Sequence, residues 1–270
     1  MRTRSPLKWA GGKFKLLDRI LEALPKGNRL VEPFMGSCVV CLNTDYSEYL
    51  LCDLNEDLIS FFQAVAAERE PFIRLCSSYF CSANNNAEKY YQLRDRFNRL
   101  PMGEERAAIF LYLNRHGFNG LVRYNSKGEF NTPFGKYVTP YFPQKELQAV
   151  IKKTLSASVE FCVMDFRETF ASLKESDVVY CDPPYIPISP TANFTSYAAE
   201  GFGHDEQHAL ALCAQHAGEN GVPVILSNHD TDLSRDLYKG AEISSFEVRR
   251  FISCDGANRN NVQELLAVYS

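Results

Sequence analysis

Asp182-Pro183-Pro184-Tyr185 holds the most specific chemistry in the chain. Asp177-Val178-Val179-Tyr180-Cys181 runs into it as a short apolar, β-branched stretch that reads as a buried strand. Two prolines directly after such a run end the ladder, because neither offers an N–H and both fix φ. The four residues therefore belong in a rigid loop at the carboxyl end of a strand, where open α/β sheets place ligands. Asp182 supplies an acceptor-only carboxylate and the Pro183 carbonyl a second acceptor. Together they match the two hydrogens of a nucleobase –NH2, whose lone pair would then turn outward towards an electrophile. Tyr185 would give the base a face to stack on.

A second set of residues has the types that hold a nucleoside. Trp9-Ala10-Gly11-Gly12-Lys13 places two glycines where backbone can approach a ligand. It is not a phosphate loop: Phe14 stands where Ser or Thr is needed, and the upstream glycine is missing. Arg29-Leu30-Val31-Glu32-Pro33 reads as a strand running into Phe34-Met35-Gly36-Ser37, with a helix expected over Val39-Val40-Cys41-Leu42. Tyr49-Leu50-Leu51-Cys52-Asp53 is the next strand. Its terminal carboxylate suits ribose hydroxyls, and it could equally open a capping box, Asp53-Leu54-Asn55-Glu56. Dinucleotide binding competes for this pattern, but the full G-x-G-x-x-G is absent. Val159-Glu160-Phe161-Cys162-Val163-Met164 ends at Asp165-Phe166, and Val222-Pro223-Val224-Ile225-Leu226 ends at Ser227-Asn228-His229-Asp230. Several strands ending in polar residues suggest one shared crevice.

The elements that must position these residues alternate as in an α/β protein, with one interruption. Residues 14–24 have helical spacing. From residue 58 to 112 the pattern is helical throughout, which reads as an inserted domain, scaffold by default. Residues 114–142 combine amides, cations and aromatics around an Asn125-Ser126-Lys127-Gly128 hairpin turn, a composition suited to base edges and stacking. Residues 247–252 and 264–269 alternate like a closing hairpin.

With 270 residues and a net charge of −4, the chain is unsuited to coating DNA non-specifically. Basic residues nevertheless cluster: eight Lys/Arg against two acids in residues 1–29, and five against Glu129 alone in residues 106–136. That argues for a short, defined nucleic-acid footprint. Nine cysteines, an odd number, suit a reducing cytoplasm. No secretory signal and no membrane span is expected. Cys38-x-x-Cys41 lacks a second pair, and His204 and His208 lack a third ligand, so no metal is expected.

Taken together, these residues resemble the Dam-type DNA adenine-N6 methyltransferases of the alpha arrangement. The motifs are Trp9-Ala10-Gly11-Gly12-Lys13, Pro33-Phe34-Met35-Gly36 and Asp182-Pro183-Pro184-Tyr185, with Leu113-Asn114-Arg115, Asn119-Gly120, Pro133-Phe134-Gly135, Ala192-Asn193-Phe194-Thr195 and Ser227-Asn228-His229-Asp230 between and after them. The resemblance implies a Rossmann-like sheet that binds S-adenosylmethionine, formed by residues 1–56 and 144–270, with a target-recognition domain at 57–143 and its hairpin at about 117–137. Cofactor contacts are implied for Trp9, Ala10, Gly11, Lys13, Glu32, Pro33, Phe34, Gly36, Ser37, Asp53, Asp165, Phe166 and Asp182. The implied target is GATC in double-stranded DNA. Lys8 and Arg123 would read guanines, Leu121 and Pro133 would touch a thymine methyl, and Asn119 would meet the base orphaned by flipping. Phe118 would intercalate and Arg94 would hold phosphate, while Arg115, Gly120, Asn125, Asn131 and Tyr137 complete the DNA face. Two departures stand out: Cys38 replaces a family glycine beside the methionine part of the cofactor, and Phe118 replaces a tyrosine. A cytoplasmic monomer of bacterial or phage origin is expected. The rival readings are amino methylation of another acceptor (cytosine N4, RNA or a protein amide) and a DNA-binding regulator without catalysis.

Overall fold

The computed structural model describes residues 2–186, 202–249 and 261–270. Residues 192–195, quoted in the resemblance, and 250–252, expected as the end of a strand, lie outside the described residues, as does Cys254. Among the described residues, seven strands form the sheet: β1 (Arg29–Glu32), β2 (Glu48–Asp53), β3 (Ser158–Val163), β4 (Asp177–Cys181), β5 (Val224–His229), β6 (Glu242–Arg249) and β7 (Asn261–Tyr269). Their order is β3-β2-β1-β4-β5-β7-β6. This is an α/β architecture of the Rossmann-like methyltransferase kind, as the alternation of patterns predicts.

Two compact units make up the chain: Met1–Leu17 with Gly36–Val163, and Asp18–Met35 with Met164–Ser270. In the second unit, β1, β4 and β5 pair in parallel and β5, β7 and β6 antiparallel. β4 and β5 are buried along their whole length, which suits the unbroken apolar runs Val178-Val179-Tyr180-Cys181 and Val224-Ile225-Leu226, and β5 ends in the buried polar residues Ser227, Asn228 and His229. Arg29 and Asp177, opposite each other in register, form a buried two-point ion pair with N···O distances of 2.9 and 2.6 Å. Helices α1 (Leu17–Ala23), α7 (Phe166–Ala171), α8 (His204–Glu219) and α9 (Asp232–Leu237) accompany this sheet, with α8 packing on β5 and β7.

In the first unit, β2 pairs in parallel with β3 over six positions, and α2 (Glu56–Glu68) and α6 (Gln144–Ser156) cover the pair. The helical stretch resolves into α2, α3 (Glu70–Tyr79), α4 (Ala87–Arg99) and α5 (Glu104–His116). Helix α5 is buried from Ala107 to His116, so α2, α3 and α4 pack around it. Asn55 and Asn86 cap α2 and α4 by accepting from Leu58 N and Lys89 N.

Two expectations need correcting. The helix expected at residues 39–42 is a series of turns ending in a short 3-10 turn, Cys41–Asn43. The β-branched Val39 and Val40 are poor helix formers, and Asn43 anchors the turn by donating to Val39 O. The hairpin flanks at residues 117–137 are also not regular strands. Only the bridges Gly117–Phe134 and Tyr124–Phe130 occur, because side chains take the ladder's place. Asn98 both accepts from Phe130 N and donates to Phe130 O, and Thr132 Oγ1 donates to Leu121 O.

Candidate active site and nucleic-acid interface

In the second unit the Asp182 loop leaves β4 and is held by β5, α8 and β7. Ser227, on β5, lies 3.0 Å from Asp182 Oδ1 and 3.2 Å from the Tyr180 hydroxyl. Gln207 of α8 donates to Pro184 O at 2.6 Å. Asn228 accepts from Ile186 N at 3.0 Å and donates to the Tyr238 hydroxyl and to Gln207 Oε1. His229 Nδ1 sits 2.6 Å from Ile186 O, and its ring meets Tyr185 edge-on at 4.7 Å. The Tyr185 hydroxyl donates to Glu264 Oε2 at 3.2 Å. Burial, reinforced by the carboxylate of Asp182, pushes that hydroxyl's pKa well above the usual tyrosine value, so the ring stays neutral. The loop is thus fixed at successive backbone and side-chain atoms, as a pre-organised polar site requires.

Gln207 and Glu264 were not legible as site residues. They lie far along the chain on an ordinary helix and a closing strand, and only tertiary pairing gives them a role. Ser227-Asn228-His229-Asp230 was legible as a polar strand end.

The same unit gathers three phenylalanines. Phe34 stacks on Phe166 with ring centroids 5.7 Å apart, and Phe202 meets their edges at 5.4 and 5.7 Å. Phe202 carried no sequence signal. Asp165 is the N-cap of α7, accepting from Arg167 N at 2.9 Å, and Glu32 is buried at the end of β1.

In the first unit, Trp9, Gly36 and Asp53 form one cradle. Asp53 Oδ2 accepts from Gly36 N at 3.1 Å and Oδ1 from Asn55 N at 3.0 Å, while Asn55, not Asp53, caps α2. Burial raises the Asp53 carboxyl pKa, against the pull of the backbone N–H groups of Asn55, Gly36 and Leu54. Gly36 has φ +46°, and a Cβ there would stand 3.0 Å from Trp9 Nε1. Only glycine meets both demands comfortably. Lys13 Nζ donates to Gly11 O at 2.8 Å, Ala10 and Gly11 are exposed, and Ser37 is buried. Cys38, where the resemblance expects glycine, is buried at φ +60°.

The interface residues also lie in this unit. The fully buried Asn114 clamps Lys8 through both backbone groups, accepting from its N at 2.8 Å and donating to its O at 2.7 Å. A further bond runs from Asn114 to Gly120 O at 3.0 Å. Lys8 Nζ lies 3.9 Å over the Tyr137 ring, and the Tyr137 hydroxyl accepts from Asn119 N. Burial lowers the Lys8 pKa, with Arg115 adding to it. Phe118 is 49% exposed, Asn119 and Pro133 are exposed, and Leu121 is half-buried. Arg123 Nε donates to Asn131 Oδ1 at 2.7 Å, and Asn125 closes the hairpin turn by accepting from Lys127 N and Glu129 N. Arg94 lies over Tyr91 and reaches Thr132 O at 3.3 Å.

The basic count for residues 106–136 overstates the exposed charge. Arg106 is turned inward, onto Asp57 and onto the carbonyls of Phe97 and Leu100 at the end of α4. Arg115 is buried and donates to Pro6 O at 2.9 Å, tying down the segment that leads to Lys8. Arg123, Lys127 and Lys136 are the exposed cations of that stretch.

The fixed Asp-Pro-Pro-Tyr loop offers an acceptor pair suited to an amino group, and the amide- and cation-rich hairpin a surface suited to nucleic acid. Comparison with known proteins gives the particular family. The D12 class N6 adenine-specific DNA methyltransferase family matches residues 9–252, and the chain belongs to it. It is 47% identical over 270 residues to a DNA adenine methylase of Vibrio cholerae serotype O1, covering 100% of this chain and 97% of that protein. DNA adenine methylases of Salmonella typhi (48%) and Escherichia coli strain K12 (47%) match over 99% of this chain and 96% of theirs. The protein is an adenine-specific DNA methyltransferase.

Proposed function

We propose that the methyl donor is S-adenosylmethionine and the target the adenine of GATC in double-stranded DNA, flipped out of the helix to meet Asp182. Asp182 and the Pro183 carbonyl accept from the two N6 hydrogens, which draws the nitrogen lone pair out of the ring system. Tyr185 stacks on the flipped base, held neutral and oriented by Glu264. The cofactor, when bound, supplies an electrophilic sulfonium methyl group. After transfer the extra proton leaves N6 through Asp182 or to solvent, so Asp182 acts chiefly by orientation and polarisation. The observation that carries this reading is the fixing of the loop on both flanks of the acceptor pair, by Ser227 at Asp182 and by Gln207 at Pro184.

The residues present fit the cofactor. Asp53 offers a carboxylate to ribose hydroxyls, Trp9 walls a cradle that any side chain at Gly36 would narrow, and Phe34 with Phe166 and Phe202 offers aromatic surface. Lys13, Ala10, Gly11, Glu32, Pro33, Ser37 and Asp165 complete the proposed set. Residues 57–143 serve target recognition. Lys8 and Arg123 read guanines, Leu121 and Pro133 meet the thymine methyl, Phe118 fills the vacated stack and Asn119 meets the orphaned base. Arg94, Asn125, Asn131 and Tyr137 complete the DNA face, while Arg115 and Gly120 act by holding Lys8. The enzyme works as a cytoplasmic monomer.

Expression in cells lacking DNA methylation, followed by genome-wide mapping of modified bases, tests the proposal. N6-methyladenine confined to GATC supports it. Marks at another motif overturn the base-contact assignments, and a purified protein with no S-adenosylmethionine binding by calorimetry overturns the donor.

A further inference from the structure

The Asp182 carboxylate is reached by a chain of hydroxyls from the sheet interior. Ser227 Oγ stands 3.0 Å from Asp182 Oδ1, 3.2 Å from the Tyr180 hydroxyl and 3.3 Å from Cys181 O. Its residue is 1% exposed and Tyr180 equally so, which leaves no competing bulk water at the hydroxyl pair. The direction of the chain follows from proton counting. An ionised carboxylate only accepts, and Ser227 has one proton to give. That proton goes to Asp182, the shorter and charge-assisted partner, with Cys181 O and the Tyr185 hydroxyl oxygen as minor branches. Tyr180 must then donate to Ser227, since the serine proton is already committed. Burial, followed by the Asp182 charge, raises the Tyr180 pKa well above its usual value, which keeps that donor protonated.

We propose that Ser227 is a positioning residue for methyl transfer: its hydroxyl, backed by Tyr180, holds the Asp182 carboxylate ionised and turned towards the adenine amino group. The inference rests on the role given to Asp182 above. A donor bonded to the charged form favours that form, and a carboxylate that protonates loses the acceptor that grips N6. Without Ser227 the carboxylate loses that donor, so it turns more easily and protonates at higher pH. Other groups facing this cluster are Tyr185 of the loop, Glu32 of β1 and Glu264 of β7, with His229 behind Tyr185.

The test is the Ser227→Ala variant in single-turnover methyl transfer across a pH series. The expected result is a fall of about tenfold or more in the rate constant at neutral pH, the scale of a lost hydrogen bond to a charged group. The KM values for DNA and donor should stay within about threefold, and the acid limb of the rate profile should move up by at least about half a pH unit. In an Asp182→Ala background, Ser227→Ala should add nothing further. A rate within about twofold of wild type with an unmoved acid limb overturns the inference. A Ser227→Ala loss that persists undiminished in the Asp182→Ala background overturns it too. Near-wild-type activity of Asp182→Ala alone instead refutes the underlying role of Asp182, so the two failures are distinguishable. If Ser227→Ala melts below the assay temperature, Ser227→Cys, a near-isosteric change to a weak donor, is read by the same criteria.

Discussion

Gly120→Ala probes the join between the N-terminal segment and the hairpin. Gly120 has φ +66°, and a Cβ there would stand 2.3 Å from Lys8 Cβ and 2.6 Å from Lys8 Cδ. The left-handed backbone alone costs alanine about 1–2 kcal/mol, offset by roughly 0.4–1 kcal/mol from a stiffer unfolded chain. The clash adds more, because Lys8 cannot retreat without breaking its two bonds to the buried Asn114. Leaving those groups unsatisfied costs about 1–3 kcal/mol. The sum is a loss of roughly 2–4 kcal/mol, or about 5–15 °C in Tm for a chain of this size. Gly128→Ala is the control: φ is +75° but nothing lies within 4 Å, so only the small backbone cost should appear. Displacing the Lys8 ammonium should also weaken DNA binding by about 1–3 kcal/mol and relax discrimination at the guanine assigned to it. Thermal melts and fluorescence anisotropy on duplexes with and without that guanine read both effects. Equal Tm values for the two alanine variants, with unchanged discrimination, would refute the reasoning.

Four further outcomes follow from the same geometry. Arg115→Ala should lower Tm, through loss of about 2–3 kcal/mol at its buried bonds to Pro6 O, and leave the salt slope unchanged. Arg123→Ala should do the reverse, leaving Tm in place, weakening DNA binding by about 1–3 kcal/mol and relaxing discrimination at one guanine. Cys38→Gly relieves a φ of +60° but loses a buried side chain and loosens the unfolded chain, so stability should change by no more than about 1 kcal/mol. Its calorimetric Kd for S-adenosylmethionine should fall, and weaker binding would show that the thiol does not crowd the site. His116 is buried against the Tyr112 carbonyl, and burial brings its pKa down to about 4 from 6.5. The unfolded chain therefore binds the extra proton first: stability is fully present above about pH 6.5 and is lost as pH falls towards 4. Denaturant titrations across that window should show a loss of up to about 3 kcal/mol that His116→Gln reduces.

The parts of this protein that local chemistry dictates were legible in the sequence. Apolar runs ended by prolines, acids or other polar residues located β1, β2, β4 and β5, and with them Asp53 and Asp182. Asn125 and Gly128 located the hairpin turn because few other residues suit that backbone. What was not legible depends on side chains meeting across long stretches of chain. Arg106 and Arg115 read as surface cations, yet each meets a partner 49 and 109 positions away and turns inward. Gln207 and Glu264 gain their roles only once α8 and β7 reach the Asp182 loop. Cys38 shows the opposite case: its left-handed backbone follows the position a glycine would hold, whatever residue stands there.

The central claim is that Asp182 grips the amino group of an extruded adenine. Single-turnover methyl transfer by Asp182→Ala, with saturating donor and a GATC duplex, tests it most directly when flipping is followed in parallel by 2-aminopurine fluorescence at the target position. A rate lowered by roughly 100-fold or more, with flipping and donor affinity intact, is the predicted result. A rate within a few-fold of wild type would contradict it.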